Sequence, residues 1–153
     1  TSGSYCFGDG SGFACPCGNA GASGAGCANS TGSGAALSRS GNASVSSSSL
    51  SLESTGLVPG QPGLYFQGNN AINAGNGNIF GDGLRCAGGS VIRLQVRAAS
   101  AAGASSTTVN IATKGGASVG DVRRYQLWYR DPSVSPCGSG YNLTNGVEVT
   151  WGA

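Results

Sequence analysis

The first 41 residues carry four of the chain's six cysteines and only four large apolar side chains, Tyr5, Phe7, Phe13 and Leu37, set among Gly, Ala, Ser and Asn. Burying so few side chains does not offset the entropy of ordering the backbone, so something else must hold this stretch if it is ordered. Disulfides, packing on the rest of the domain and contacts with neighbouring molecules are the three candidates. Cys6, Cys15, Cys17, Cys27, Cys86 and Cys137 are even in number, and the chain opens at Thr1 with no initiator Met and no signal segment. These features predict a processed, secreted protein from an oxidising compartment, with all six cysteines in intramolecular disulfides.

Six cysteines allow fifteen pairings, and the sequence does not choose among them. Proximity along the chain suggests Cys6 with Cys15, Cys17 with Cys27, and Cys86 with Cys137. Cys15 and Cys17 are not expected to bridge each other, because a single intervening residue strains the geometry. The rival is a metal site of four thiolates from Cys6, Cys15, Cys17 and Cys27, which the missing CxxC knuckles and the oxidising compartment disfavour. No metal and no cofactor is expected.

The chain has no His, no Met and a single Lys. Ser-His and Cys-His nucleophiles, imidazole proton shuttles and mixed Cys/His zinc sites are therefore absent. A glycosidase needs only two facing carboxylates, but nothing in the sequence brings any two of the six together. The expectation is a protein that is not an enzyme. Charged residues make up 9% of the chain, against about 25% in ordinary soluble domains, so Ser, Thr, Asn, Gly and Ala must cover the surface. A net charge of +2 gives little repulsion between copies. The basic residues form no stripe along which a phosphate backbone would lie, and no apolar run reaches the roughly 20 residues that cross a bilayer. Neither nucleic acid nor a membrane span is expected.

From Val45 onward the hydrophobic period is two. Ile92, Leu94, Val96 and Ala98 alternate with Arg93, Gln95 and Arg97; Tyr125, Leu127 and Tyr129 alternate with Arg124, Gln126, Trp128 and Arg130; Val147, Val149 and Trp151 alternate with Glu148 and Thr150. Each reads as an antiparallel strand with one face inside. Weaker strands are expected over residues 50–57, 64–67 and 107–113, separated by Gly, Pro and Asn clusters. No segment has a 3.6-residue pattern. The fold class this predicts is all-β, an antiparallel β-sandwich of jelly-roll or immunoglobulin-like type. It is read as a single domain over residues 1–153, with a disulfide-stapled, Gly-rich arm over 1–41 and the sandwich over 42–153. An open barrel is the lesser option. Phe-Gly-Asp-Gly occurs at residues 7–10 and 80–83, and two Asp-Gly turns after an aromatic explain it more economically than a duplication.

Several stretches resemble a recurring module in secreted proteins of planctomycetes and myxobacteria. They are CFGDGSG from Cys6, CPCGN from Cys15, GCANS from Gly26, GQPGLYFQG from Gly60, FGDGLRCAGG from Phe80, RYQLWYRDP from Arg124 and NLTNGVEVTW from Asn142. Together they span nearly the whole chain in order. The resemblance implies secretion and a β-rich extracellular module; it brings no activity, ligand or catalytic residue with it.

Asp9 and Asp82 are candidates for Ca²⁺, yet each stands alone between glycines rather than among acidic neighbours, which fits turn formation better. Trp128, Trp151, Tyr65, Tyr125, Tyr129 and Tyr141 are candidates for a sugar-stacking platform. Tyr125 and Tyr129 share a face with Leu127 and belong to the core, whereas Trp128 lies on the opposite face among Arg124, Gln126 and Arg130 and is the residue to test for carbohydrate contact. Asn29, Asn42 and Asn142 match the N-glycosylation triplet in a chain rich enough in Ser and Thr for chance matches, and the Ser46 to Ser49 run and Ser105 to Thr108 equally offer hydroxyls to O-linked sugars.

Two function classes follow. The leading one is an extracellular structural subunit, at the cell surface, that assembles with copies of itself into a fibre, pilus-like filament or surface layer. In it Ser4 to Phe7 adds to a neighbour's sheet and Tyr5 and Phe7 serve as anchors, unless the segment pairs within its own domain. The alternative is an adhesin-like module that binds carbohydrate or a cell-surface partner through loops at one end of the sandwich.

Overall fold

The alternating segments become antiparallel strands, and the computed structural model describes residues 3–153 of the chain. Thr1 and Ser2, where the expected arm begins, lie outside the described residues. The strands are β1 (Ser4–Tyr5), β2 (Ala36–Ser40), β3 (Ser51–Thr55), β4 (Pro62–Gly68), β5 (Asn70–Ala71), β6 (Asn78–Phe80), β7 (Gly83–Arg85), β8 (Ala87–Gly88), β9 (Ile92–Ala98), β10 (Ser105–Ser106), β11 (Val122–Arg130), β12 (Tyr141–Leu143) and β13 (Gly146–Thr150). A six-stranded sheet runs in the order β1-β13-β11-β4-β9, with β12 also paired to β11, and a three-stranded sheet runs β10-β3-β2. Every pairing between these strands is antiparallel, and two-stranded ribbons β5-β8 and β6-β7 complete the set. The fold is all-β, and the two larger sheets share one core, an arrangement compatible with a sandwich.

That core takes Leu37 and Leu52 from the smaller sheet and Tyr65, Leu94, Tyr125, Leu127, Tyr129, Val147 and Val149 from the larger one, with Trp151 just beyond β13. Each such side chain, fully buried, is worth about 1.5–3 kcal/mol over its exposed state. The polar atoms inside are paired. Trp151 Nε1 donates to the Tyr125 hydroxyl at 3.0 Å, the hydroxyl donates to Gln67 Oε1 at 2.8 Å, and Gln67 Nε2 donates to the Gly115 carbonyl at 3.0 Å. Burial, the largest influence, pushes the Tyr125 phenol up to about 12, so it stays a neutral donor.

Two expectations change. Val96, expected inside, is 63% exposed, while Leu94 is 3% exposed. The cause is a bulge: β4 pairs Tyr65 with Gln95 and then Phe66 with Arg93, so Leu94 is an extra residue on β9. One added residue inverts the alternation beyond it. Downstream, Gln95 and Arg97 turn toward the smaller sheet, where Gln95 Nε2 donates to Thr108 Oγ1 and Arg97 Nε to the Ser106 carbonyl. Val96 goes to the outer face.

Residues 107–113, expected as a strand, contain a helical turn, α1 (Ile111–Lys114), because Asn110 caps it by accepting the Thr113 N–H at 3.1 Å. Its Ile111 and Ala112 enter the core. Within the first 41 residues, β2 pairs with β3 from Ala36↔Thr55 to Ser40↔Ser51 and delivers Leu37 to the same core. Among the described residues no helix is long and apolar enough to cross a membrane.

Candidate functional site

All six cysteines are bonded, in three disulfides, but not as proximity suggests: the pairs are Cys6–Cys86, Cys15–Cys27 and Cys17–Cys137. The proximal pairing would tie the N-terminal segment mainly to itself. Instead the segment folds back across the outer face of the six-stranded sheet, so its spatial neighbours are residues far along the chain. Cys6, Cys27, Leu84 and Cys86 form a small buried cluster there, flanked by Tyr5 and Cys15. Gln126, fully buried on the same face, stitches this layer to the sheet: its Oε1 accepts the Cys86 N–H at 2.8 Å, and its Nε2 donates to the carbonyls of Leu84 at 2.8 Å and Thr144 at 2.6 Å.

Asp9 and Asp82 are both taken up by turns. Asp9 accepts from Ser11 N at 3.0 Å, from Ser11 Oγ at 2.5 Å and from Gly24 N at 3.0 Å. The Ser11 hydroxyl foremost, with those backbone donors, lowers its carboxyl below the usual range. Asp82 accepts from Cys137 N at 3.0 Å, Ser139 N at 3.1 Å and Ser139 Oγ at 2.5 Å. Burial raises the Asp82 carboxyl, but these donors together outweigh it and the net shift is downward. Gly81, at φ +60°, is required between Phe80 and Asp82, because a Cβ there would run into the Tyr141 ring. The repeated Phe-Gly-Asp-Gly is thus two loop anchors. No group of three or more potential ligands fit for a metal occurs among the described residues.

Tyr5 and Phe7 do not form one extended strand. Ser4 and Tyr5 pair with Val147 and Gly146 of the same chain, and the Tyr5 hydroxyl donates to the Cys86 carbonyl at 3.1 Å. Cys6 then adopts φ +61°, turning the chain toward Cys86 and ending the strand before Phe7. Asn29 and Asn142, two of the three N-glycosylation triplet matches, are buried at 2% and 0% exposure, with their amides bonded inside the fold. Asn29 Nδ2 donates to the Gly56 carbonyl at 2.8 Å and the Tyr129 hydroxyl at 3.0 Å; Asn142 Nδ2 donates to the carbonyls of Cys27 and Ala28. Asn42 is exposed, in the turn between β2 and β3.

Trp128 sits where the outer face is left uncovered. The register β9-β4-β11-β12 aligns Val96, Leu64, Trp128 and Leu143 in one row across four strands. Phe80 from β6 and Tyr141 from β12 close around the indole: Phe80 lies edge-on at 5.3 Å from both Trp128 and Tyr141, and Trp128 lies at 5.8 Å from Tyr141. Such T-shaped pairs are worth about 0.5–1.5 kcal/mol each beyond their burial, so the three rings fix one another. Two adjoining hollows share Leu64, Arg93 and Trp128. One, of about 190 Å³, reaches Phe66, Phe80 and Arg85. The other, of about 470 Å³, reaches Pro62, Val96, Arg130 and Tyr141. The Arg85 guanidinium lies over the rings of Phe66 and Phe80, at 5.8 and 5.7 Å.

Alternation alone put Trp128 on the outer face. Phe80, Arg85 and Val96 were not marked for this place by any local pattern: the first two arrive on the β6-β7 ribbon, and Val96 through the bulge. Compared with known proteins, the chain matches no family model, no curated protein and no solved structure.

Proposed function

We propose that the chain is a secreted, non-enzymatic module that binds carbohydrate in the Trp128 cleft. The observation that carries this reading is the row Val96, Leu64 and Trp128, framed by Phe80 and Tyr141 on a sheet face that the N-terminal segment leaves open. Apolar and aromatic surface at a concave, partly hydrated place suits the C–H faces of sugar rings, while the surrounding Arg side chains supply hydrogen-bond donors for hydroxyls. Three disulfides suit an extracellular setting. Affinity electrophoresis through gels containing plant, bacterial and animal polysaccharides tests the reading. The wild-type protein is expected to be retarded in at least one gel and Trp128→Ala to migrate freely. Fluorescence gives a second readout, because Trp151 is buried in the core and a ligand-induced change reports Trp128.

Self-assembly is the second reading, and the observation that favours it is the edge strand β9, which carries exposed Val96 in a chain only 9% charged. Negative-stain microscopy of native material distinguishes the two: filaments or sheets support assembly, and single small particles leave the binding reading.

A further inference from the structure

The cleft carries a charge that sugar stacking alone does not require. Arg85, Arg93 and Arg130 line its two hollows, and no Asp or Glu does. Among the described residues the ion pairs are Arg123 with Asp121 and Arg124 with Glu148, both away from the cleft lining. The remaining carboxylates are engaged by neutral donors: Asp9 by Ser11 and Gly24, Asp82 by Ser139 and Cys137, Asp131 by Ser30, and Glu53 by Ser40. Arg93 and Arg130 are exposed, and among the described residues their guanidiniums make no hydrogen bond or ion pair to a protein acceptor. Arg85 is positioned by its Nε, which donates to the Ala87 carbonyl at 3.2 Å, and by the two rings beneath its guanidinium.

Resting on the carbohydrate reading, we propose that the ligand is an acidic glycan, with ring carboxylates or sulfates held by Arg93 and Arg130 while a neighbouring sugar face stacks on Trp128. Planar guanidinium forks bind carboxylate and sulfate oxygens in pairs. From Val96 on β9 to Trp128 on β11 the row crosses two strand spacings, about 10 Å at about 4.8 Å each, a length that accommodates a disaccharide. An anion on one sugar and an apolar face on the next can therefore be met together. Arg85, held against Phe66 and Phe80, marks the end of the cleft toward which a longer chain extends.

The test pairs each acidic polymer with a neutral counterpart of the same backbone: polygalacturonate against its fully methyl-esterified form, and a sulfated galactan against the desulfated galactan. Titrations are run at about 0.15 M salt, where screening over about 8 Å removes diffuse attraction. Wild-type protein is expected to bind at least one acidic form tenfold or more tighter than its neutral partner. Preference for polygalacturonate alone assigns carboxylate, and preference for the galactan alone assigns sulfate. The double variant Arg93→Gln with Arg130→Gln, at two exposed positions, should lose the preference and bind the acidic and neutral forms alike. Equal binding of acidic and neutral forms, lost in Trp128→Ala, overturns the acidic ligand and leaves the carbohydrate reading standing. Binding that survives in both Trp128→Ala and Trp128→Phe overturns the placement of the sugar in the Trp128 cleft, and with it the proposal built on that cleft. Failure of the folded protein to bind any of the four polymers overturns the acidic-glycan proposal.

Discussion

Asp82 accepts the backbone N–H of Cys137 at 3.0 Å, so one carboxylate fixes the loop whose cysteine is bonded to Cys17. Replacing it by Asn puts an amide donor against N–H groups and is expected to cost about 1–3 kcal/mol near neutral pH. The pH dependence has a definite sign. The folded-state carboxyl is held below its ordinary value, so its contribution is complete above about pH 3.9, the unfolded value, and is lost as pH falls through the folded one. Urea midpoints of wild type and Asp82→Asn should therefore differ most above that pH and converge in acid. A gap that is constant with pH would contradict the assignment.

The bulge at Leu94 makes opposite predictions for two residues two positions apart. Leu94→Ala opens a cavity in the core and should cost about 2–5 kcal/mol. Val96→Ser, on the outer face, should stay within about 0.5 kcal/mol. Denaturation of both variants checks the register, and a Val96 cost as large as that of Leu94 would mean unbroken alternation along β9.

Disulfide removal should rank by the length of chain each bond closes. Cys15–Cys27 spans 12 positions and Cys17–Cys137 spans 120. Loop-closure entropy puts the short one near 3 kcal/mol and the long one at about 4.7 kcal/mol. Serine replacement of each pair, followed by chemical denaturation, should leave the Cys17/Cys137 variant the less stable of the two.

Glycan attachment should be confined to Asn42. When the chain is secreted from a glycosylating eukaryotic host, intact mass should show a glycan that enzymatic release removes and Asn42→Gln abolishes. Occupancy at Asn29 or Asn142 would require modification before folding buries them.

The sequence announced the inner faces of β11 and β13 because strict alternation there meets no irregularity: Tyr125, Leu127, Val147 and Val149 are all buried. It could not announce the fate of Val96, because a bulge depends on what β4 offers opposite it. The helical turn at Ile111 was hidden for a related reason: Val109 and Ile111 look like strand residues, and the cap at Asn110 decides otherwise. Cysteine pairing was the least legible, since it follows from where residues 3–35 lie on the sheet, a property of the whole fold. The cleft was legible at Trp128, at Arg130 on the same alternating face and at Tyr141 as an aromatic candidate, but not at Phe80, Arg85 or Val96, because a row across strands is set by register rather than by order along the chain.

The Cys17–Cys137 bond also sets where a mechanical load would travel. A pull applied between Cys6 and Thr150 follows the shortest covalent route, along the backbone to Cys17, across the bond to Cys137 and on through β12 into β13. Residues 18–136, which include every strand from β2 to β11, are bypassed. Stretching can peel the short flanking strands but cannot draw the central sheet out through its ends. The same closure means that a single protease cut anywhere within 18–136 leaves the two fragments joined, so a module of this design can be nicked without shedding either piece.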